Sequence, residues 1–184
     1  MLKVYINPDT VMVNDKPLAH NEKGSAMLTE LYRAYIGDYP KFFKMDTLSK
    51  LGFVASELLL QAEGKVRFEP CENRAVVFFN RAASLQADAA YQATIQHPEN
   101  FFPSPAAFVY TLPNIVTGEI AIRNKYFGET SFLVLEHCDE HIMARELQNA
   151  FLDPMTTSIL GGWLDCTDEN HFEAELFIIE ESNK

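Results

Sequence analysis

The spacing of apolar residues changes along this chain, and each change predicts an element. Leu2–Ile6 and Thr10–Asn14 are strand-like runs on either side of Asn7-Pro8-Asp9, whose fixed proline φ and Asx side chains favour a turn, so an opening hairpin is expected. Residues 15–27 are polar and irregular, and Leu28–Ile36 reads as a short helix that Gly37 terminates. From Asp46 to Ala62 the residues Leu48, Leu51, Ala55, Leu58, Leu59 and Ala62 recur at helical spacing, with Asp46 as cap and Gly64 as stop. Val76–Phe79 is wholly apolar and predicts a central strand, followed by a helix over Ala82–Ile95. The prolines and paired phenylalanines of His97–Pro105 suit a connection across the surface, and Leu112-Pro113-Asn114 opens a helix to about Lys125.

The stretch that organises the rest is Ser131–Asp139, SFLVLEHCD. Its apolar run from Phe132 reads as a strand buried on both faces, and it ends abruptly in His137 and Cys138, where the chain must turn. Asp139 can then cap a helix from about Glu140 to Leu152, with Met143, Leu147, Ala150 and Phe151 on one stripe. His141, Arg145, Glu146, Gln148 and Asn149 lie opposite, a polar side suited to water or a polar partner. Thr157–Leu160, closed by Gly161-Gly162, is the next strand; Phe172–Glu180 alternates as the last, after a turn at Thr167–Asn170. A β-rich start followed by βαβαβαββ predicts an α/β fold: a mostly parallel sheet with one antiparallel strand and helices on its faces.

A length of 184 residues with 47% apolar and 22% charged residues fits one domain, with a hairpin and loop over 1–27 and an α/β core over 28–184. No apolar run reaches the ~20 residues of a bilayer span, and MLKVYINPDT lacks the apolar centre of a signal peptide, so a cytoplasmic protein without a membrane partner is expected. Cys71, Cys138 and Cys166 have no CxxC spacing and fit reduced thiols. Residues 126–184 hold 13 acids against Arg145 and Lys184, which accounts for the whole net charge of -11. Such a surface repels a phosphate backbone, so nucleic acid is not an expected partner.

In α/β proteins catalytic groups gather at the carboxyl ends of strands, which makes His137 and Cys138 the candidates for chemistry. A thiolate at Cys138 would draw on the neighbouring imidazole and a helix amino end, while Glu136, Asp139 and Glu140 oppose it; a structural thiol is the alternative. His137 and His141, four apart, would share a helix face and could hold a metal if His137 lay within the helix. Trp163 either packs beneath the second layer or joins Phe101, Phe102 and Phe108 around an apolar pocket. Gly161-Gly162 either packs closely or admits a ligand near the backbone. No glycine-rich phosphate motif or GxSxG elbow is present.

Several segments together resemble the amino-terminal half of the β-ketoacyl-ACP synthases, of the thiolase-like superfamily. They are Lys44-Met45-Asp46 with its helix; Leu112-Pro113-Asn114 followed by Gly118, Ile120, Ile122, Gly128 and Ser131; ILGGWLD at 159–165; and ELFIIEE at 175–181. The likeness runs over most of residues 40–181. It implies a single thiolase-like half, because a complete synthase has a second half that carries the paired decarboxylating histidines. Laid on the pattern, His137 falls at the nucleophile position and Cys138 one residue beyond it, while Glu140 stands where a glycine is expected. A one-residue shift at such an elbow re-aims the side chain and misplaces it against the oxyanion donors.

The resemblance implies no cofactor and three alternative roles. The first is a non-catalytic synthase-like subunit of carrier-protein-dependent fatty acid, polyketide or aryl polyene synthesis. It would act as a homodimer or as a heterodimer with an active synthase, through the strand Phe132–Leu135. The second is a small acyltransferase or thioesterase using Cys138 with His137. The third is an acyl-chain or small-molecule binder, with Phe108, Asn114, Gly161, Gly162 and Trp163 as candidate contacts. An acidic acyl carrier protein would dock on Lys41, Lys44, Lys65 and Arg67.

Overall fold

The computed structural model describes residues 1–181. Its strands are β1 (Leu2–Asn7), β2 (Thr10–Val13), β3 (Lys16–Pro17), β4 (Arg74–Asn80), β5 (Thr130–Val134), β6 (Ser158–Asp168) and β7 (His171–Glu180). The α-helices are α1 (Gly24–Tyr35), α2 (Thr47–Glu63), α3 (Leu85–Ile95), α4 (Pro105–Val109), α5 (Ile115–Asn124) and α6 (Glu140–Ala150). One sheet runs in the order β3-β2-β1-β7-β6-β4-β5.

The α/β class and the mixed sheet are as expected, but the sheet is not mostly parallel. Only β4 with β6 and β4 with β5 pair in parallel; the other four pairings are antiparallel. The reason is the position of β7, which lies between β6 and β1 and runs opposite to both, so the opening hairpin completes the sheet. A second correction concerns Gly161-Gly162. The pair does not end a strand: β6 passes straight through it to Asp168, in register with Phe177 and Leu176 of β7. The loop 97–105 begins with a 3-10 turn at Pro98–Asn100, and α5 starts at Ile115, after a turn at residues 112–114.

Period-two alternation along β4 assigns the two faces of the sheet. Val76 and Phe78 join Leu160, Leu164, Leu176 and Ile178 in a core beneath α1, α2 and α5. Ala75, Val77 and Phe79 join Ile159 and Trp163 beneath Met143, Leu147 and Ala150 of α6. The α2 helix is buried at every residue from Thr47 to Leu60 except Lys50, as a helix packed on most of its sides must be. Asp46 accepts a hydrogen bond from Ser49 N at its start and Gly64 closes it at φ 70°. No helix among the described residues is long and apolar enough to cross a membrane.

A buried ion pair ties α2 to the start of β4. Arg74 donates from both terminal nitrogens to Glu63, at 2.7 and 2.6 Å, and from Nε to Ser158 Oγ. Its guanidinium also lies over the Tyr126 ring. Arg67, from the loop after α2, reaches back to Glu57 and Asn124. Phe68 has a φ of 65°, and the guanidinium groups of Arg67 and Arg123 lie 4.7 and 4.5 Å from its ring centroid.

Candidate functional site

The parallel strands β4 and β5 end side by side, with Asn80 opposite Val134, while β6 runs on past them to Asp168; the carboxyl ends of β4 and β5 frame the candidate site. Pairing of β5 with β4 extends through the bond from Leu135 N to Asn80 O, after which the chain turns outward at Glu136–Cys138. Asn80 is fully buried and closes the adjoining turn on itself, accepting from Ala83 N and donating to Ala83 O. Asp165 of β6 accepts from Arg81 N and Ala82 N and pins the same turn to the neighbouring strand. Neither residue was singled out by sequence; the available signal was a lone asparagine ending an apolar strand.

Asp139 caps α6 as its position suggested, accepting from His141 N at 2.9 Å and Ile142 N at 3.1 Å. Those bonds, from Ile142 and then His141, hold its carboxyl below the usual carboxylate range. The consequence for chemistry is direct. Donors at the first turn that could stabilise an oxyanion are already satisfied by a carboxylate of this chain.

Cys138 is exposed, with Sγ 3.8 Å from Met143 Sδ. Its thiol is pushed up, first by burial and then by Glu175, Glu173, Glu140 and Asp139. His137 points into solvent with its side chain 71% exposed, and its Nε2 lies 4.0 Å from Asp139 Oδ2. Among the described residues no hydrogen bond joins its imidazole to Cys138. Alkylation of Cys138 by iodoacetamide, followed by intact mass, is therefore expected to rise with pH around a midpoint above the ordinary thiol value of about 8.5. A midpoint near 7 would mean an activated thiolate and overturn this reading.

His137 precedes α6, so it does not share a helical face with His141, and among the described residues no group of three His, Cys, Asp or Glu converges as a metal site. The candidate substrate contacts are dispersed. Trp163 packs under α6, whereas Phe108 lies exposed on α4 with its ring edge-on to Tyr91. Phe101 and Phe102 are exposed in the connection before α4. Asn114 is exposed, and its carbonyl accepts from Thr117 Oγ1 at the start of α5. Both glycines serve the backbone. A Cβ on Gly162 would lie 2.1 Å from Glu175 O, and one on Gly161 would lie 2.9 Å from Leu147 of α6. Of the four cations expected to receive a carrier protein, three are engaged within the chain: Lys41 with Glu119, Lys65 with Glu63 and Glu180, and Arg67 with Glu57.

No protein-family model matches the sequence. No curated protein matches it either. Solved structures do. The ishigamide ketosynthase/chain length factor superposes with a TM-score of 0.69 at 16% identity, over 98% of this chain and 61% of that one. A ketosynthase (ApeO) in complex with its chain length factor (ApeC), from Xenorhabdus doucetiae, superposes with a TM-score of 0.63 at 12% identity, over 99% of this chain and 79% of that one. The fold is thus the thiolase-like α/β arrangement found in ketosynthase and chain length factor structures, and this chain spans less than two thirds of the length of the first of them.

Proposed function

We propose that this chain corresponds to the amino-terminal half of a β-ketoacyl synthase and serves as a non-catalytic accessory subunit in carrier-protein-dependent assembly of acyl chains. Polyketide and aryl polyene synthesis are the pathways nearest to the folds it matches; fatty acid synthesis is the broader class. The observation that carries the proposal is the Asp139 carboxylate at the first turn of α6. It fills the donors an acyl transferase would need, beside a thiol that burial and four acids keep protonated.

Pairing with a synthase is supported by the edges of the sheet. One edge is the two-residue β3, whose Lys16 and Pro17 make a poor template for another strand. The other is β5, which has a neighbour on one side only and leaves Val134 52% exposed. An open apolar edge of this kind is a site for strand addition from another subunit.

Two measurements test the proposal. Incubation with acetyl, malonyl and longer acyl thioesters is expected to leave the intact mass unchanged; an acyl adduct on Cys138 would restore the transferase alternative. Mixing with ketosynthases is expected to give a stable complex and a changed product length, and a chain that pairs with none of them would remove the accessory role.

A further inference from the structure

The segment between β4 and α5 is fastened to the rest of the molecule at its two ends and almost nowhere between. Asp165 pins its start through Arg81 N and Ala82 N, and Ser84 Oγ donates to Thr111 O at 2.7 Å, which draws the two ends together. Tyr110 then enters the core beneath α2. Among the described residues from Leu85 to Val109, Ala87 alone is buried, although Leu85, Phe101, Phe102, Phe108 and Val109 are large and apolar. The contacts these residues make are largely with one another. Phe102 N donates to Thr94 O, and the Phe108 ring lies edge-on to Tyr91, which ties α4 to α3. Among the described residues, one hydrogen bond joins this segment to a strand distant in the chain: the Cys166 thiol of β6 lies 3.7 Å from Gln86 Oε1.

The free energy needed to open part of a protein follows the apolar contact that part gives up. A segment that buries one alanine gives up little, whereas α2, β4 and β6 bury nearly all of their apolar side chains and stay together without it. What it leaves behind is a sulfur. Cys166 is only 2% exposed, and its neighbour Gln86 departs with the segment. In the closed arrangement the thiol is pushed up to about 12, first by burial and then by Asp46 and Asp165, so it stays protonated and inert.

We infer that residues 85–109 form an arm that swings off the folded body as one unit, and that its departure uncovers the Cys166 thiol. Ser84 and Thr111 mark the hinge, the pairing of α3 with α4 makes the arm move as a whole, and the sheet does not open with it. The arm is a gate on a cysteine that the closed molecule withholds from reagents.

The full chain with Cys71→Ser and Cys138→Ser, which keeps Cys166 as its one thiol, tests this by iodoacetamide labelling and intact mass at pH 8. In urea well below the unfolding midpoint, labelling is expected to run at least about tenfold faster than global unfolding allows and to change little with urea, because a small surface is exposed. Two further substitutions in this background separate the arm from the body. Ala93→Gly, at an exposed position within α3, should speed labelling about fivefold through helix propensity alone. Ile159→Val, buried beneath α6, should lower the urea midpoint and leave labelling unchanged. Hydrogen exchange should show the amides of α3 and α4 opening together, about a hundredfold faster than those of α2 and β4. Labelling that rises with urea as steeply as unfolding does, or that responds to Ile159→Val as to Ala93→Gly, would overturn the inference. So would fast labelling while α3 and α4 stay as protected as α2, since the reagent would then reach Cys166 by another route.

Discussion

Replacing Arg74 by methionine is expected to lower the folding stability by about 3–5 kcal/mol, the usual cost of stranding a buried partner ion. The guanidinium is nearly inaccessible and is satisfied on every side by Glu63, Ser158 and the face of Tyr126. Without it the Glu63 carboxylate remains buried, with only Lys65 at 3.2 Å. Burial alone would push Glu63 up, but the hydrogen bonds and charge of Arg74, followed by those of Lys65, bring its carboxyl below the usual range. A carboxyl lowered on folding contributes stability that is complete above its unfolded value near 4.3 and is lost as pH falls through the folded value. In the methionine variant burial acts with less opposition, so the gap from the parent protein should narrow as the pH approaches 4. Adding Glu63→Leu to Arg74→Met should restore most of the loss by removing the stranded charge. Urea unfolding of the three variants at pH 7 and pH 4 measures all of this. A single substitution that costs under about 1 kcal/mol would mean that water reaches the pair.

The second large effect is expected at Gly162. Its φ of 140° is closed to ordinary side chains, and an added Cβ would sit 2.1 Å from Glu175 O and 2.9 Å from Leu176 Cα. Those are backbone atoms of the paired strand β7, which cannot swing aside as a side chain would. Gly162→Ala should therefore cost at least about 3 kcal/mol, or part the two strands at that point. Gly118 provides the internal control. It sits within α5 with nothing inside 4 Å of its would-be Cβ, so Gly118→Ala should stabilise by about 0.5–1 kcal/mol. Thermal melts of the two variants should move in opposite directions. Equal melting shifts would show that the backbone at 162 relaxes.

Much of this architecture was legible because it is local. Asp46 and Gly64 bracket α2 within a residue or two of where they stand in the sequence pattern, and Asp139 caps α6 through the backbone bonds expected of it. What escaped was set by partners far away in the chain. Nothing near Leu2–Asn7 records that this strand will lie beside Phe172–Glu180, so the antiparallel character of the sheet had no local sign. Gly161-Gly162 looked like a stop because glycine weakens an isolated strand, whereas β7 and α6 approach so closely that nothing larger fits. The site was half legible: the turn from β5 into α6 was readable, but the outward aim of His137 and the internal pairing of Lys41, Lys65 and Arg67 depended on tertiary neighbours.

The place of β7 between β1 and β6 also governs how the molecule is made. As the polypeptide leaves the ribosome, Val4 and Ile6 emerge some 170 residues before the strand that bonds to them, with Ala174 and Leu176. Until then the hairpin β1–β2 has only itself to pair with, and the newborn chain displays two incomplete half-sheets with unsealed apolar flanks. Productive folding is thereby deferred until β7 has emerged, when a single strand joins the two halves.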